Sequence, residues 1–132
     1  MEGVLFLTLD QVVRLHDREL DRFGGLPGIR DIQLIESAIA QPQQAFGGEY
    51  FHKNMAEMAA AYLFHLAKNH GFCDANKRTA FVAALTFLDV NGIDVGGIDE
   101  DEMEAITLAV ADGTADKNAA AAFFAARIKI SE

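Results

Sequence analysis

The sequence predicts an all-α fold of about six helices, with one helix buried at the centre and a short flap or hairpin outside it. Apolar residues recur at helical spacing in six segments, and most of these segments lie between a capping residue and a glycine, proline or Asn-Gly stop. One segment, from Met55 to about Asn69, is apolar on nearly all sides, which is typical of a central helix. The 132 residues contain no linker or repeat, so we expect a single domain over residues 1–132.

The first helix is predicted to begin after Thr8, because Thr8 and Gln11 have the spacing of a capping box. Gly24-Gly25 is expected to end it, since glycine readily adopts the left-handed conformation found at helix C-termini. One face of this helix carries mostly apolar side chains, namely Val12, Val13, His16, Leu20 and Phe23.

A second helix is expected to start at the N-cap Asp31 and to stop at Pro42, which cannot continue a helix. Its apolar residues are Ile32, Ile35, Ala38 and Ile39. Residues 42–53 have no helical periodicity. Within them, Phe46-Gly47-Gly48-Glu49-Tyr50-Phe51 combines a glycine turn with aromatic residues and could form a short hairpin or flap.

Four helices are expected in the remainder of the chain. Asn54 caps the central helix, and the next runs from about Asn76 to Val90, where Asn91-Gly92 closes it. Asp99 starts a further helix, whose first turn is acidic and whose end is Gly113. A last helix spans roughly residues 116–127.

The composition excludes some classes of function and location. A formal net charge of −9 is opposite in sign to the basic surface of nucleic-acid-binding proteins, so we expect no direct contact with nucleic acid. Cys73 is the only cysteine and cannot form an internal disulfide, which favours a reducing, cytoplasmic location. No apolar stretch is long enough for a signal peptide or a membrane span, so we expect no membrane association.

The segment between the two most apolar helices is dense in groups that titrate or bind anions. A plain helix connection needs only Gly71 and a polar cap such as Asn76. Four further residues therefore require a chemical interpretation, and these are His70, Asp74, Lys77 and Arg78.

Lys77 and Arg78 are unusual in the first turn of a helix, because the helix dipole disfavours cations there. The free N–H groups of a helix start bind anions, and a nucleoside triphosphate bound there would offset both positive charges. Asp74 beside the phosphates would suit Mg²⁺, which takes one or two carboxylates together with phosphate oxygens. The segment therefore indicates a site for a triphosphate and magnesium.

The run His70-Gly71-Phe72-Cys73-Asp74-Ala75-Asn76-Lys77-Arg78 resembles the signature of the Fic/Doc family, H-x-F-x-[D/E/N]-x-N-[K/G]-R, at every fixed position. The flanking sequence resembles the Doc, or death-on-curing, branch over about residues 8–92. The segments that carry this likeness are Leu15-His16-Asp17, Gly24-Gly25-Leu26-Pro27-Gly28, Thr79-Ala80, Phe87-Leu88 and Asn91-Gly92.

The resemblance implies a Fic-type helical bundle that transfers a phosphate-containing group from a nucleotide to a protein hydroxyl. It implies that His70 takes the proton from the acceptor, a role that suits histidine because this residue type titrates near neutral pH. Asp74 would hold Mg²⁺, and Phe72 would anchor the loop in the core. Asn76, Lys77 and Arg78 would bind the phosphates of ATP.

Lys77 stands where adenylate-transferring relatives usually have glycine, and Ala75 likewise replaces a glycine. The resemblance to the Doc branch implies a protein kinase toxin that phosphorylates a threonine of elongation factor Tu and arrests translation. It also implies a cognate antitoxin whose C-terminal segment folds as a helix in a groove near the site. Two alternatives stay open at this point, an adenylyltransferase that modifies a protein hydroxyl and an inert Fic domain that binds a nucleotide or a partner.

The other histidines are expected to have structural roles. His65 lies on the apolar central helix and is expected to be a core residue with its hydrogen bonds satisfied. His16 and His52 are expected to be structural or surface groups.

Overall fold

A computed structural model describes residues 3–130, which form six α-helices and two short pairs of strands. The helices are α1 (Leu9–Phe23), α2 (Ile32–Ala40), α3 (Met55–Asn69), α4 (Asn76–Val90), α5 (Glu100–Asp112) and α6 (Lys117–Arg127). A 3₁₀ turn, Gln41–Gln43, follows α2 and contains the proline that was expected to stop it. The predicted all-α class and the number of helices are confirmed.

Side chains cap five of the six helices. The cap residues are Thr8, Asp31, Asn54, Asp99 and Asp116, and each accepts a hydrogen bond from a backbone N–H of the first turn. The capping box at Thr8 is complete, because Gln11 Oε1 also accepts from Thr8 N at 2.8 Å. A cap of this kind stabilises a helix by about 1 kcal/mol. The exception is α4, which follows Ala75 and has no side-chain cap.

Helix α3 lies at the centre of the bundle and packs against α2, α4, α5 and α6. Most of its side chains are buried, namely Ala56, Met58, Ala59, Ala60, Ala61, Tyr62, Leu63, Leu66 and Ala67. The buried Tyr62 hydroxyl accepts a hydrogen bond from Leu7 N at 2.9 Å, which joins the N-terminal segment to the core. The predicted central helix is therefore confirmed.

Both pairs of strands are antiparallel. β1 (Ala45–Phe46) and β2 (Glu49–Tyr50) form the predicted hairpin, and Gly47 and Gly48 turn it with positive φ angles of 60° and 82°. β3 (Ile93–Asp94) pairs with β4 (Lys129–Ile130), a pair that was not predicted, because two-residue strands show no periodicity. Among the described residues, no helix is both long enough and apolar enough to cross a membrane.

His65 differs from the satisfied core histidine that was expected. Its Nε2 is buried and has no hydrogen-bond partner within residues 3–130. Burial lowers the pKa of this imidazole to about 4, and the charge of Lys117 acts in the same direction. His52 is similar, because burial and then Lys117 lower its pKa, and its Nε2 also lacks a partner in this part of the chain.

We expect His65 to make the fold sensitive to mild acid. The unfolded chain binds a proton at His65 near pH 6.5 and the folded chain only near pH 4, so protonation favours unfolding in this interval. The free energy of unfolding of the wild type, minus that of His65→Gln, should therefore decrease as pH falls from 6.5 to 4. Urea denaturation at several pH values measures this difference. A constant difference across the interval would contradict the prediction.

Candidate active site

The residues singled out in the sequence surround one cavity of about 330 Å³ at the junction of α3 and α4. The cavity is lined by His70, Cys73, Asp74, Ala75, Asn76, Lys77 and Arg78. The His70 side chain is exposed at the C-terminal end of α3. An imidazole, a carboxylate and two cationic side chains are thus accessible to the same ligand.

Within residues 3–130, two non-glycine residues have positive φ angles, and they lie at the two ends of the loop between α3 and α4. His70 has φ 52° and Ala75 has φ 63°, both in the left-handed region. This conformation costs roughly 1–2 kcal/mol for an L-residue and persists only where its surroundings hold it. The contacts that hold these two residues therefore define the geometry of the site.

Arg30 holds the His70 side of the loop. Its Nε donates to His70 O at 2.7 Å, and its backbone N donates to Gly71 O at 2.8 Å. A cation is favourable at this position, because the last carbonyl groups of a helix are unpaired and carry partial negative charge. Sequence reasoning missed Arg30, since nothing local shows that its side chain reaches a helix end 40 residues away.

The Asp74 carboxylate is held by backbone N–H groups from two directions. Oδ2 accepts from Leu26 N at 3.0 Å, and Oδ1 accepts from Ala75 N at 2.8 Å. These two hydrogen bonds lower the pKa of Asp74, and the charge of Arg78 lowers it further. Asp74 is therefore an anion with a fixed orientation beside the helix start.

Gly25 allows this close approach of the α1–α2 loop. It has φ +133°, and a Cβ at this position would lie 2.8 Å from Asp74 Oδ2 and 2.9 Å from Leu20 Cδ2. Only glycine tolerates both the backbone angle and the contact. The sequence analysis used Gly25 as a helix terminator and as part of the family resemblance, so its close contact with Asp74 was missed.

The Arg78 side chain is oriented by α1. Its two terminal nitrogens donate to Gly24 O at 2.8 Å and to Glu19 O at 3.4 Å. Gly24 is the C-cap residue of α1 and Glu19 lies near the same end of the helix, where the negative end of the helix dipole attracts a cation. Lys77, by contrast, is exposed and forms no ion pair or hydrogen bond with its side chain within the described residues.

Asn76 clamps the main chain of Phe72. Its Oδ1 accepts from Phe72 N and its Nδ2 donates to Phe72 O, both at 3.0 Å. Phe72 itself is buried in the core cluster, and its ring stacks on His16. One amide hydrogen and the backbone N–H of Asn76 are left for a ligand, so its phosphate-binding role stays a prediction.

The start of α4 is free to bind an anion. Because α4 has no side-chain cap, the N–H groups of its first turn receive no capping hydrogen bond from a side chain of the described residues. The positive end of the helix dipole and the side chains of Lys77 and Arg78 act in the same place. This arrangement fits a polyanion such as a nucleotide phosphate chain.

Asp74 is the acidic residue available for a metal ion in this cavity. Among the described residues there is no group of three or more His, Cys, Asp or Glu side chains that could hold a metal ion. Mg²⁺ needs less from the protein, because one carboxylate together with phosphate oxygens and water completes its coordination. The single, oriented carboxylate therefore fits magnesium brought with a nucleotide.

A second and larger groove, of about 420 Å³, lies between α1, α4 and α5 and opens beside the first. Lys77 and Arg78 line both cavities. The other lining residues are Glu19, Arg22, Phe23, Phe81, Val82, Glu100, Glu104, Thr107 and Leu108. Phe23, which shares the apolar face predicted for α1, is 61% exposed and lies under the guanidinium groups of Arg22 and Arg78.

Sequence comparison with known proteins gives a family match and two relatives. Residues 6–88 match the profile described as the Fic/DOC family, and this span includes the whole loop. The chain is 37% identical over 107 residues to a protein of Escherichia phage P1 named Protein kinase doc, covering 81% of this chain and 82% of that one. It is 40% identical over 101 residues to a protein of Mycolicibacterium smegmatis named Toxin Doc, covering 76% and 78% respectively.

Proposed function

The chain belongs to the Fic/DOC family, and from this premise we propose that it is a Doc-type toxin with protein kinase activity. It transfers the γ-phosphate of ATP to a threonine of elongation factor Tu and so arrests translation in the cytoplasm. The observation that carries the proposal is the shared cavity, in which an exposed imidazole faces an uncapped helix start flanked by two cations. The target follows from the resemblance to the Doc branch.

His70 acts as the general base in this proposal. The threonine hydroxyl oxygen attacks the γ-phosphorus, the bond from that phosphorus to the bridging oxygen of ADP breaks, and Nδ1 or Nε2 of His70 takes the hydroxyl proton. The left-handed backbone at His70, held by Arg30, turns the imidazole away from the core and into the cavity. Arg30 is therefore a positioning residue for this base.

Charge neutralisation is the second contribution. Arg78, Lys77 and the N–H groups at the start of α4 bind the phosphate chain, with Asn76 at the same helix start. Asp74 is the residue that would hold Mg²⁺, and a bound Mg²⁺ would neutralise charge on the phosphate oxygens. Phosphoryl transfer relies mainly on positioning and on such neutralisation, because little covalent chemistry is required of the protein.

Lys77 favours transfer of the γ-phosphate over transfer of adenylate. Its exposed side chain occupies space at the helix start. A glycine there would leave room for the nucleotide phosphates to lie close to the protein main chain, and the lysine also adds a positive charge. The phage P1 relative is named a protein kinase, which supports the same choice. Adenylate transfer therefore becomes the outcome against which the proposal is tested.

The larger groove is the proposed docking site for the C-terminal helical segment of an antitoxin. Its apolar residues include Phe23, Phe81 and Leu108, and its charged residues are three cations and three acids, namely Arg22, Lys77, Arg78, Glu19, Glu100 and Glu104. An amphipathic helix whose polar edge carries both acidic and basic side chains fits such a surface. Because Lys77 and Arg78 also line the smaller cavity, an antitoxin bound in this groove competes for the groups that bind phosphate.

Labelled ATP and intact-mass analysis test the proposed activity. The purified protein is incubated with elongation factor Tu, Mg²⁺ and ATP labelled at either the γ- or the α-phosphate. We expect label from the γ-position only, and a mass gain of one phosphate on the factor. Label from the α-position with a gain of one adenylate would establish an adenylyltransferase, and the absence of both would establish an inert domain.

Arg30→Met is expected to lower the rate of phosphate transfer about tenfold, which corresponds to ~1.4 kcal/mol in the barrier. Methionine keeps the length of the side chain but cannot donate to His70 O, so His70 is less firmly held in its left-handed conformation. Rates under saturating ATP measure the effect. Arg14→Met is the matched control, because Arg14 forms only an exposed ion pair with Asp10 on α1. Equal rates for the two variants would contradict the role of Arg30.

A further inference from the structure

The geometry points to His16 as a positioning residue of this site, which fixes Asp74 through its main chain. We propose that His16 sets the orientation of the Asp74 carboxylate and hence the affinity of the site for Mg²⁺ with nucleotide. The inference rests on the proposed function, because it assigns Asp74 to the metal. It adds a residue that lies 58 positions earlier in the chain and outside the cavity.

His16 contacts the loop in two ways. It lies on α1 with 1% of its surface exposed, and its Nε2 is 2.9 Å from Asp74 O. A carbonyl oxygen can only accept a hydrogen bond, so Nε2 is the donor. The ring also stacks on Phe72, with centroids 3.8 Å apart and planes inclined by 7°.

These two contacts fall on either side of Cys73 and hold the loop against α1. The stack fixes the ring of Phe72, whose main chain is clamped by Asn76. The hydrogen bond fixes the peptide group between Asp74 and Ala75, and the N–H of this same group, that of Ala75, donates to Asp74 Oδ1. A rotation of this peptide group would therefore move the N–H that orients the carboxylate.

If His16 served only to pack the core, its ring would suffice and its Nε2–H donor would not be needed. The hydrogen-bond partner that Asp74 O has within residues 3–130 is His16 Nε2. An apolar ring of the same shape would leave this carbonyl group without that partner. The two contributions can therefore be separated by substitution, since the stack and the hydrogen bond use different features of the side chain.

Two substitutions of His16 separate these contributions. His16→Phe keeps an aromatic ring for the stack but removes the donor, whereas His16→Gln keeps an amide N–H donor near the position of Nε2 and removes the ring. Loss of a residue that hydrogen-bonds a metal ligand typically lowers the affinity for the metal by about 10–100-fold. We expect His16→Phe to raise the half-saturating Mg²⁺ concentration at least tenfold, and His16→Gln to restore most of the affinity.

Two measurements on the full chain keep the test independent of turnover. Calorimetric titration with a non-hydrolysable ATP analogue, with and without Mg²⁺, gives the gain in nucleotide affinity due to the metal. Thermal unfolding gives the stability of each variant. His52→Gln serves as the matched control, because His52 is a buried histidine that lines a different cavity. We expect Mg²⁺ to increase the affinity for the nucleotide analogue less in His16→Phe than in the wild type, and to act normally in His52→Gln. The loss in His16→Phe should be larger than any change in its melting temperature explains.

If Mg²⁺ increases the nucleotide affinity of His16→Phe as much as that of the wild type, the inference is overturned. A loss that is the same for both His16 variants and follows their melting temperatures would also overturn it, since that result describes packing alone. The calorimetric result does not depend on which group is transferred or to which protein. A wild type that binds Mg²⁺ with the analogue but labels nothing would therefore refute the proposed kinase activity while leaving the role of His16 measurable.

Discussion

Replacing His70 by asparagine is expected to lower the rate of phosphate transfer to elongation factor Tu by about two to four orders of magnitude, the usual contribution of a general base. The protein should fold as before, because His70 is exposed and asparagine tolerates the left-handed conformation of that position. The backbone that Arg30 binds is kept, so the variant removes the base and little else.

Single-turnover labelling with γ-labelled ATP measures this rate, and calorimetry with an ATP analogue checks that the nucleotide still binds. In cells, expression of the wild type should arrest growth, and expression of His70→Asn should not. A variant that keeps more than a tenth of the wild-type rate would show that another group accepts the proton. Growth arrest by His70→Asn would contradict the proposed link between transfer and toxicity.

The helices could be predicted from the sequence because their signals are local. Thr8, Asp31, Asn54 and Asp99 each cap a helix a few residues from the apolar positions that define it. The central position of α3 was also predictable, because an apolar helix face must be buried against other elements and α3 is apolar on nearly every side. Pairing of β3 with β4 was not, because it joins two-residue segments 35 positions apart.

The candidate site could be proposed from the sequence for a similar reason, since its chemical groups are contiguous from His70 to Arg78, and the structure places them around one cavity. What the sequence could not provide is the set of residues that hold this loop. Arg30, His16 and Gly25 approach it from a distance of 40 residues or more along the chain, and each has an ordinary structural explanation when it is read alone. The interpretation of His16 as structural was therefore incomplete.

Arg78 illustrates how the fold prepares a charged group for a ligand. A guanidinium carries five N–H donors, and two of its nitrogens are already directed by the carbonyl groups of Gly24 and Glu19. Arg78 also lines the cavity at the start of α4, together with Asp74. Since its side chain is already oriented by these carbonyl groups, less conformational entropy would be lost if a phosphate binds there.

Arg78→Gln is accordingly expected to reduce kcat/KM for phosphate transfer by two to three orders of magnitude, or about 2.7–4 kcal/mol, as for the loss of a well-placed electrostatic donor. Arg78→Lys should recover only part of this loss, because an ammonium cannot contact the α1 carbonyl groups and a phosphate in the same fork geometry. Arg14→Gln, which removes a cation from the exposed face of α1, controls for the change in net charge.

The two Arg78 variants also separate binding from catalysis. If Arg78 only attracts ATP through its charge, Arg78→Lys should match the wild type, and Arg78→Gln should raise KM with kcat unchanged. If it stabilises charge that develops on the transferred phosphoryl group, both variants should lower kcat. We expect the second pattern, since the guanidinium is oriented by the end of α1 and lies next to the Asp74 carboxylate whose pKa it helps to lower. A full recovery of kcat by Arg78→Lys would contradict it.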